Sequence, residues 1–155
     1  MADEESYRYI KWEPQDLADV EDWLEKDRSS RLTRGQSLSL GIELLEPRRV
    51  IGMVSIYFLD ADSRQMSFMA MVDHNYRRQG FGTEAVRGLA AFAFRVLKTH
   101  RLFVFCDTRN TAAFKMLQKA GFRQEARCLK GEWVKGEWVD TFWYALLAQE
   151  FNGIA

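Results

Sequence analysis

The spacing of apolar residues predicts the first three strands. Between Ser39 and Val72, segments rich in Ile, Val, Phe and Met alternate with short polar turns, a pattern typical of an antiparallel meander. The predicted strands are Ser39–Glu46, Val50–Leu59 and Gln65–Val72. Because the second segment is apolar on both faces, we expect it to be a central strand covered on both sides.

After the meander, apolar residues recur at the spacing of one helix face, from Gly82 to Leu97. Five apolar residues in a row, Leu102–Cys106, then predict a buried strand. A strand, a crossover helix and a second strand make a parallel βαβ unit. A second helix is predicted over Ala113–Ala120, closed by Gly121.

The two ends of the chain complete the predicted fold. An amphipathic helix is expected over Asp16–Lys26, and Phe122–Val134 with Trp138–Leu147 predict a hairpin around Lys135-Gly136-Glu137. The predicted fold class is α/β, with a mixed, mostly antiparallel central sheet, one parallel βαβ unit, flanking helices and a C-terminal hairpin. With 155 residues, 47% of them hydrophobic, the chain suits a single domain over residues 1–155.

Composition and charge argue against several classes of partner. Lys+Arg and Asp+Glu number 22 each, so neither a nucleic acid nor an anionic membrane is expected. No apolar run approaches the roughly 20 residues of a membrane span, and the acidic N-terminus does not resemble a secretion signal. Cys106, Cys128, His74 and His100 have no partners at metal-ligand spacing. We therefore predict no metal site, free thiols and a cytoplasmic location.

The junction between the third strand and the helix carries the strongest candidate chemistry. Its sequence over Arg77–Thr83 is Arg-Arg-Gln-Gly-Phe-Gly-Thr. The first turn of a helix has N–H groups without partners, and its dipole favours anions. Gly80 and Gly82 would let a phosphate approach the backbone closely. A glycine turn with solvated arginines is the alternative, but the strand–loop–helix context favours an anion site. The spacing matches neither a P-loop nor a dinucleotide-binding fingerprint.

Further motifs lie beyond this loop, at Asp107–Ala113, Leu117–Phe122 and Gly136–Leu147. Together with the loop they resemble the ribosomal-protein N-acetyltransferase (RimJ/RimL-type) branch of the GNAT superfamily, and the resemblance covers nearly the whole chain. The resemblance implies the GNAT fold and acetyl-CoA as the acetyl donor. It also implies transfer to a primary amine, either on a small molecule or at a protein N-terminus.

The same resemblance implies a set of cofactor-binding residues. Backbone groups of Met71 and Val72 would pair with the pantetheine arm of acetyl-CoA, and the loop would hold the pyrophosphate. Asn110 would face the cofactor between two diverging strands, although an Asn before a helix is also an ordinary N-cap. The implied residues are Met71, Val72, Arg77, Arg78, Gly80, Phe81, Gly82, Thr83 and Asn110.

The catalytic base that the resemblance implies is Glu132, with a merely exposed hairpin carboxylate as the alternative interpretation. Two proton donors and one base that other members of the family use are absent. Ala113 stands where much of this branch has a Ser, Leu117 where other members have a Tyr, and Phe105 where some use a Glu. Losing a general acid or base typically costs about 10²–10⁴-fold in rate. A non-catalytic acyl-CoA-binding domain, with a regulatory or assembly role, is therefore the second interpretation.

Compared with the family it resembles, the chain has a shortened N-terminus. Only Met1–Ser6 precede the segment that matches at Tyr7–Pro14, so the family's first strand has no counterpart. The strand Ser39–Glu46 would then have an unpaired edge, and such edges invite pairing with another chain. We therefore expect Arg8–Lys11 to be extended and paired to a sheet edge, and the protein to be a homodimer.

Overall fold

A computed structural model describes residues 7–11, 18–19, 21–22, 25 and 37–152 of the chain. The strands of this part are β1 (Ser37–Leu44), β2 (Arg49–Asp60), β3 (Gln65–Val72), β4 (Arg101–Asp107), β5 (Arg123–Val134) and β6 (Glu137–Leu147). The helix α1 (Phe81–Arg95) connects β3 to β4, and α2 (Thr111–Lys119) connects β4 to β5.

The strands form one sheet in the order β1-β2-β3-β4-β6-β5. Neighbouring strands are antiparallel except for β3 and β4, which are parallel because α1 carries the chain back across the sheet. The predicted fold class, a mixed and mostly antiparallel sheet with one parallel βαβ unit and a C-terminal hairpin, is confirmed.

The main core lies between the sheet and the two helices. One face of α1 is buried at the spacing that the sequence predicts, through Val86, Leu89, Ala90 and Ala93. These residues pack into the same buried cluster as Ile56, Met66, Phe68, Leu102, Tyr144 and Leu146 from the sheet. The helix ends at Arg95, two residues before the predicted Leu97, and Val96 beyond it is exposed.

Turn residues delimit the elements where the sequence predicts them. Gly121 adopts φ +99° after α2, a conformation that favours glycine. Lys135 and Gly136 both have positive φ, which matches the twist of a tight β-hairpin. Strand β1 ends at Leu44 instead of Glu46 because residues 45–48 form the turn to β2.

The predicted N-terminal helix falls partly on described residues. Residues 18, 19, 21, 22 and 25 are helical and exposed, consistent with the polar face of the predicted helix. Its apolar face lies outside the described residues. Neither α1 nor α2 combines the length and the apolar character that a bilayer crossing requires.

The prediction that Arg8–Lys11 is an extended edge strand is wrong. The segment forms a turn, in which the Ile10 N–H donates to the Tyr7 carbonyl at 3.4 Å. Within the described residues, β1 has β2 as its strand partner. The turn instead lies near the C-terminal hairpin, where Lys11 pairs with Glu132 and the Arg109 guanidinium lies 5.9 Å from the Tyr9 ring. Side-chain contacts therefore decide where the segment lies, and the alternating pattern of its residues does not reveal them.

Candidate active site

A cavity lies where the two parallel strands move apart. The pairing of β3 with β4 covers Gln65–Ser67 and Arg101–Phe103, and the strands then diverge. Between them is a cavity of about 290 Å³, whose walls include Phe68, Met69, Ala70, Val104, Cys106 and Met116. Beyond Ser67 and Phe103, the facing edges of β3 and β4 do not bond to each other. Backbone groups on such edges need other partners, so an extended ligand carrying amide groups fits between them.

The loop before α1 has the geometry of an anion site. Gly80 is the N-cap of α1 and adopts φ +95°, in the left-handed region. Its carbonyl accepts the Glu84 N–H at 3.0 Å, the first hydrogen bond of the helix. The N–H groups of Phe81, Gly82 and Thr83 therefore belong to the first turn, where a helix offers donors to an anion. A Cβ added at Gly82 would lie 3.8 Å from Cγ of Met116, so the loop adjoins the cavity.

The two arginines of this loop differ in position. The half-buried Arg77 donates from Nε to the Val72 carbonyl at 3.0 Å, which ties the loop to the end of β3. A ligand that pairs with this carbonyl would share it with Arg77 or displace the guanidinium. Arg78 is exposed and has φ +61°. Arg78 is therefore the arginine with the freer access to an anion outside the loop.

Gly52 supports this end of β3 and was not among the predicted site residues. A Cβ at Gly52 would lie 2.3 Å from the Met71 carbonyl oxygen and 3.0 Å from the Val72 Cα. Only glycine permits this approach of β2 to the residues predicted to hold the pantetheine arm. A glycine inside an apolar strand is a signal that could have indicated it, because such a glycine often marks a close backbone approach.

Asn110 lies at the cavity, at the point where β4 leads into α2. Its side-chain oxygen accepts the Ala113 N–H at 3.1 Å, so its interpretation as an N-cap is confirmed. Its position between the diverging strands also agrees with the sequence analysis, while its contact with a cofactor stays a prediction.

Glu132 lies at the same cavity, on β5 opposite Val139. The ladder is irregular between Cys128 and Glu132, and a bulge of this kind can redirect a side chain. Gly131 permits the irregularity, since a Cβ there would lie 2.7 Å from the Thr141 hydroxyl. The Glu132 side chain is 21% exposed and forms an ion pair with the Lys11 ammonium.

Residues 1–123 match the family model described as "Acetyltransferase (GNAT) domain". The chain belongs to the GNAT acetyltransferase family. It is 33% identical over 96 residues to the "Probable N-acetyltransferase YjcK" of Bacillus subtilis (strain 168), covering 61% of this chain and 53% of the relative. It is 29% identical over 115 residues to the "Putative ribosomal N-acetyltransferase YdaF" of the same organism, covering 73% and 63% respectively. The matched segment thus spans less than two thirds of these relatives' length.

Solved structures share the GNAT fold. A GNAT-family acetyltransferase from Bacillus anthracis superposes with a TM-score of 0.84 at 20% identity, covering 95% of this chain and 84% of that one. The spermidine N-acetyltransferase of Vibrio cholerae, solved in complex with CoA and spermine, superposes with a TM-score of 0.82 at 17% identity. That match covers 95% of this chain and 85% of the other. At these identities the likeness shows the fold alone.

The cavity between β3 and β4 has no proton donor at the three positions where the family resemblance implies an acid or a base. Phe105, Ala113 and Leu117 all line the cavity, and none carries a titratable group. Leu117 is 2% exposed and belongs to the core cluster, so its position serves packing.

Two other carboxylates near the GNAT cavity are engaged by Arg109. Asp107 is 4% exposed and accepts the Arg109 backbone N–H at 2.8 Å and its Nη2 at 2.6 Å. Glu137 accepts Nη1 of the same arginine at 2.7 Å. Hydrogen bonds to Asp107 and then Glu137 raise the pKa of Arg109 above its usual value. Asp107 and Glu137 are thus both held by the Arg109 guanidinium. Glu132 lines the cavity and pairs instead with a lysine ammonium, the kind of group whose proton a base would take, so it is the better candidate for a base.

Cys106 lines the cavity but is a poor nucleophile. Burial, and secondarily the charge of Asp107, raise the pKa of its thiol to about 12. The thiolate is the reactive form of cysteine, so this side chain stays protonated and unreactive at neutral pH. Within the described residues, no three His, Cys, Asp or Glu side chains are grouped to hold a metal ion.

Proposed function

We propose that the chain is an N-acetyltransferase that moves an acetyl group from acetyl-CoA directly to a primary amine. The observation that carries this proposal is the cavity between the diverging ends of β3 and β4, with Asn110 and Glu132 in its walls. The loop Gly80–Thr83 adjoins this cavity at Met116. One site thus combines a glycine-containing loop at a helix N-terminus, an opening between two strands and a carboxylate, and this combination supports the proposal.

The residues fit acetyl-CoA in the following way. The N–H groups of Gly80, Phe81, Gly82 and Thr83 would hold the pyrophosphate, with Arg78 and Arg77 at its side. The edge of β3 near Met71 and Val72, where β4 no longer pairs with it, would bond the amides of the pantetheine arm, with the Val72 carbonyl shared with Arg77. Asn110 would face the arm from the junction between β4 and α2. When bound, acetyl-CoA supplies a thioester carbonyl that can accept an amine.

Glu132 carries the proton transfer in this proposal. Its carboxylate removes a proton from the acceptor's ammonium, because only a neutral amine attacks a thioester. Since Phe105, Ala113 and Leu117 offer no donor, water protonates the departing sulfur. The protonated Cys106 argues against an acyl-enzyme at that residue and in favour of direct transfer.

The cavity favours an acceptor with one amine and an apolar remainder. Among the described residues, the carboxylates in its walls are Asp107, which is held by Arg109, and Glu132, which pairs with Lys11. A polyamine would need several free carboxylates, whereas apolar walls such as Tyr57, Phe68 and Phe105 suit an apolar body. A protein N-terminus, as in the RimJ/RimL-type branch, and a small monoamine both meet this description. A cytoplasmic location and a homodimer stay part of the proposal, the latter tested by light scattering.

The test is release of CoA from acetyl-CoA with a panel of amines. The panel contains spermidine, an aromatic monoamine and a short peptide with a free N-terminus. We expect turnover with the monoamine or the peptide above that with spermidine. The Glu132→Gln variant in the same assay shows whether the turnover depends on the carboxylate. Tight binding of acetyl-CoA without turnover of any amine would contradict the proposal that the chain is an enzyme.

The second candidate function is a non-catalytic acyl-CoA-binding domain. The specific observation in its favour is the set of inert side chains in the cavity walls, Phe105, Ala113 and Leu117, at the three positions where the family resemblance implies an acid or a base. In the assay above, it predicts calorimetric binding of acetyl-CoA and no release of CoA.

A further inference from the structure

The chain places its own primary amine at the carboxylate of the candidate active site. The Lys11 Nζ forms an ion pair with Glu132 Oε2, and both residues line the cavity that also includes Asn110. The Lys11 side chain is 55% exposed, against 21% for Glu132. A lysine ammonium thus occupies the position that an acceptor's ammonium must reach before Glu132 can take its proton.

Neighbouring contacts hold Lys11 at this position. The preceding turn is closed by the Ile10 N–H to Tyr7 carbonyl bond, and the Tyr9 ring lies beside the Arg109 guanidinium. Arg109 is itself fixed by Asp107 and Glu137. A group held beside its reaction partner reacts far faster than the same group free in solution, so the tether favours Lys11 over other lysines of the chain.

We propose that Lys11 is an acetyl acceptor of this site, modified by the chain that carries it. The inference rests on the proposed function, because it uses the same donor and the same base. It adds a modification site at Lys11 and an effect of that modification on how readily an external amine reaches Glu132. Unmodified Lys11 competes with an external amine for Glu132, and acetylation removes that competition by neutralising the ammonium.

The proposed step balances as follows. Glu132 takes one proton from the Lys11 ammonium, and the neutral Nζ attacks the thioester carbonyl carbon of acetyl-CoA. A C–N bond forms and the C–S bond breaks. The second proton leaves the nitrogen and reaches the departing sulfur through water, giving CoA as the thiol. Glu132 then releases its proton to solvent. The products are an amide at Lys11 and free CoA.

The first experiment tests the contact without acetyl-CoA. A carbodiimide couples a carboxylate to an amine that touches it, so we expect a zero-length cross-link between Lys11 and Glu132 in peptide maps. The Glu132→Gln variant should lack it. Absence of the cross-link in the unmodified chain would overturn the inference, because Lys11 would then not lie at the carboxylate in solution.

The second experiment tests the modification itself. The purified chain is incubated with acetyl-CoA and no other amine, and acetylated lysines are mapped by mass spectrometry. We expect one acetyl group at Lys11, at a fractional rate independent of protein concentration, as an intramolecular reaction requires. Lys11→Arg keeps the positive charge but should lack the modification. Lys119→Arg is the matched control. Lys119 is an exposed residue of α2, so its replacement should leave the acetylation of Lys11 unchanged.

The outcomes separate this inference from the proposed function. Turnover of panel amines without acetyl-lysine at position 11 overturns the inference and leaves the proposed function standing. Acetylation of Lys11 no faster than that of Lys119, or unchanged in Glu132→Gln, indicates ordinary chemical acetylation and also overturns the inference. Binding of acetyl-CoA with neither reaction contradicts both and supports the non-catalytic candidate.

Discussion

Replacing Gly82 with alanine separates the stability of the fold from the binding of the cofactor. A Cβ at this position would lie 3.6 Å from Cγ2 of Val72 and 3.8 Å from Cγ of Met116, both ordinary contacts. The folded chain therefore has room for the methyl group. Alanine is favoured over glycine by ~0.8–1.0 kcal/mol inside a helix, and by less in the first turn. We expect the free energy of unfolding of Gly82→Ala to stay unchanged or to rise by up to about 1 kcal/mol.

The affinity of Gly82→Ala for acetyl-CoA should fall, although the stability of its fold does not. The methyl group would stand where a phosphate must approach the N–H groups of the first turn of α1. Each hydrogen bond to a charged group contributes about 1.5–3 kcal/mol. Since 1.4 kcal/mol corresponds to a factor of ten, losing one such bond weakens acetyl-CoA binding by about ten- to 150-fold.

Calorimetric titration with acetyl-CoA and urea unfolding measure the two quantities. Gly88→Ala is the matched control, because Gly88 lies in the middle of α1 and a Cβ there would have no neighbour within 4 Å. We expect this control to be more stable and to bind normally. Wild-type affinity in Gly82→Ala would refute the placement of the pyrophosphate. A joint loss of affinity and stability would instead indicate a structural role for this glycine.

Further predictions concern the base, the end of β3 and the buried thiol. Glu132→Gln should lower kcat/KM by about 10²–10⁴-fold and leave acetyl-CoA affinity unchanged, because it removes the base and not the loop. Gly52→Ala should lower the free energy of unfolding by about 1–3 kcal/mol in urea, since its Cβ would lie 2.3 Å from the Met71 carbonyl oxygen. Stability should fall as pH rises above 9.0, because the folded Cys106 keeps its proton up to a pKa of about 12 while the unfolded chain loses it first. Urea unfolding on either side of that pH should show the decrease.

Each of these predictions has a matched control or an outcome that would contradict it. A wild-type rate in Glu132→Gln would reassign the base to Asp107, Glu137 or water. Gly41→Ala is matched to Gly52→Ala, because the nearest atom to a Cβ at Gly41 lies 3.7 Å away and its stability should not fall. Cys106→Ala should lose the decrease in stability that the thiol causes. An identical pH dependence in that variant would assign it to other groups.

Local patterns in the sequence were enough to predict most of the fold. Strand β3 spans Gln65–Val72 as predicted, and the turn at Lys135 and Gly136 has the positive φ angles that its hairpin needs. Apolar periodicity and turn chemistry act over a few residues, so they can be read without knowing the neighbours. The sequence motifs likewise predicted the GNAT family, whereas it is the structure that places Asn110 and Glu132 at one cavity.

Tertiary structure decided what the site can do. The width of the cavity depends on where β3 and β4 stop pairing, and the end of β3 depends on the absence of a side chain at Gly52. The ion pair of Lys11 with Glu132 joins residues far apart in the chain, and it replaces the predicted edge strand. Such contacts depend on which distant side chains the folded backbone brings together. The alternation of residue types over Tyr7–Lys11 is a property of the segment alone and does not identify its partner. Sequence periodicity therefore could not reveal that Lys11 lies at Glu132, the predicted base.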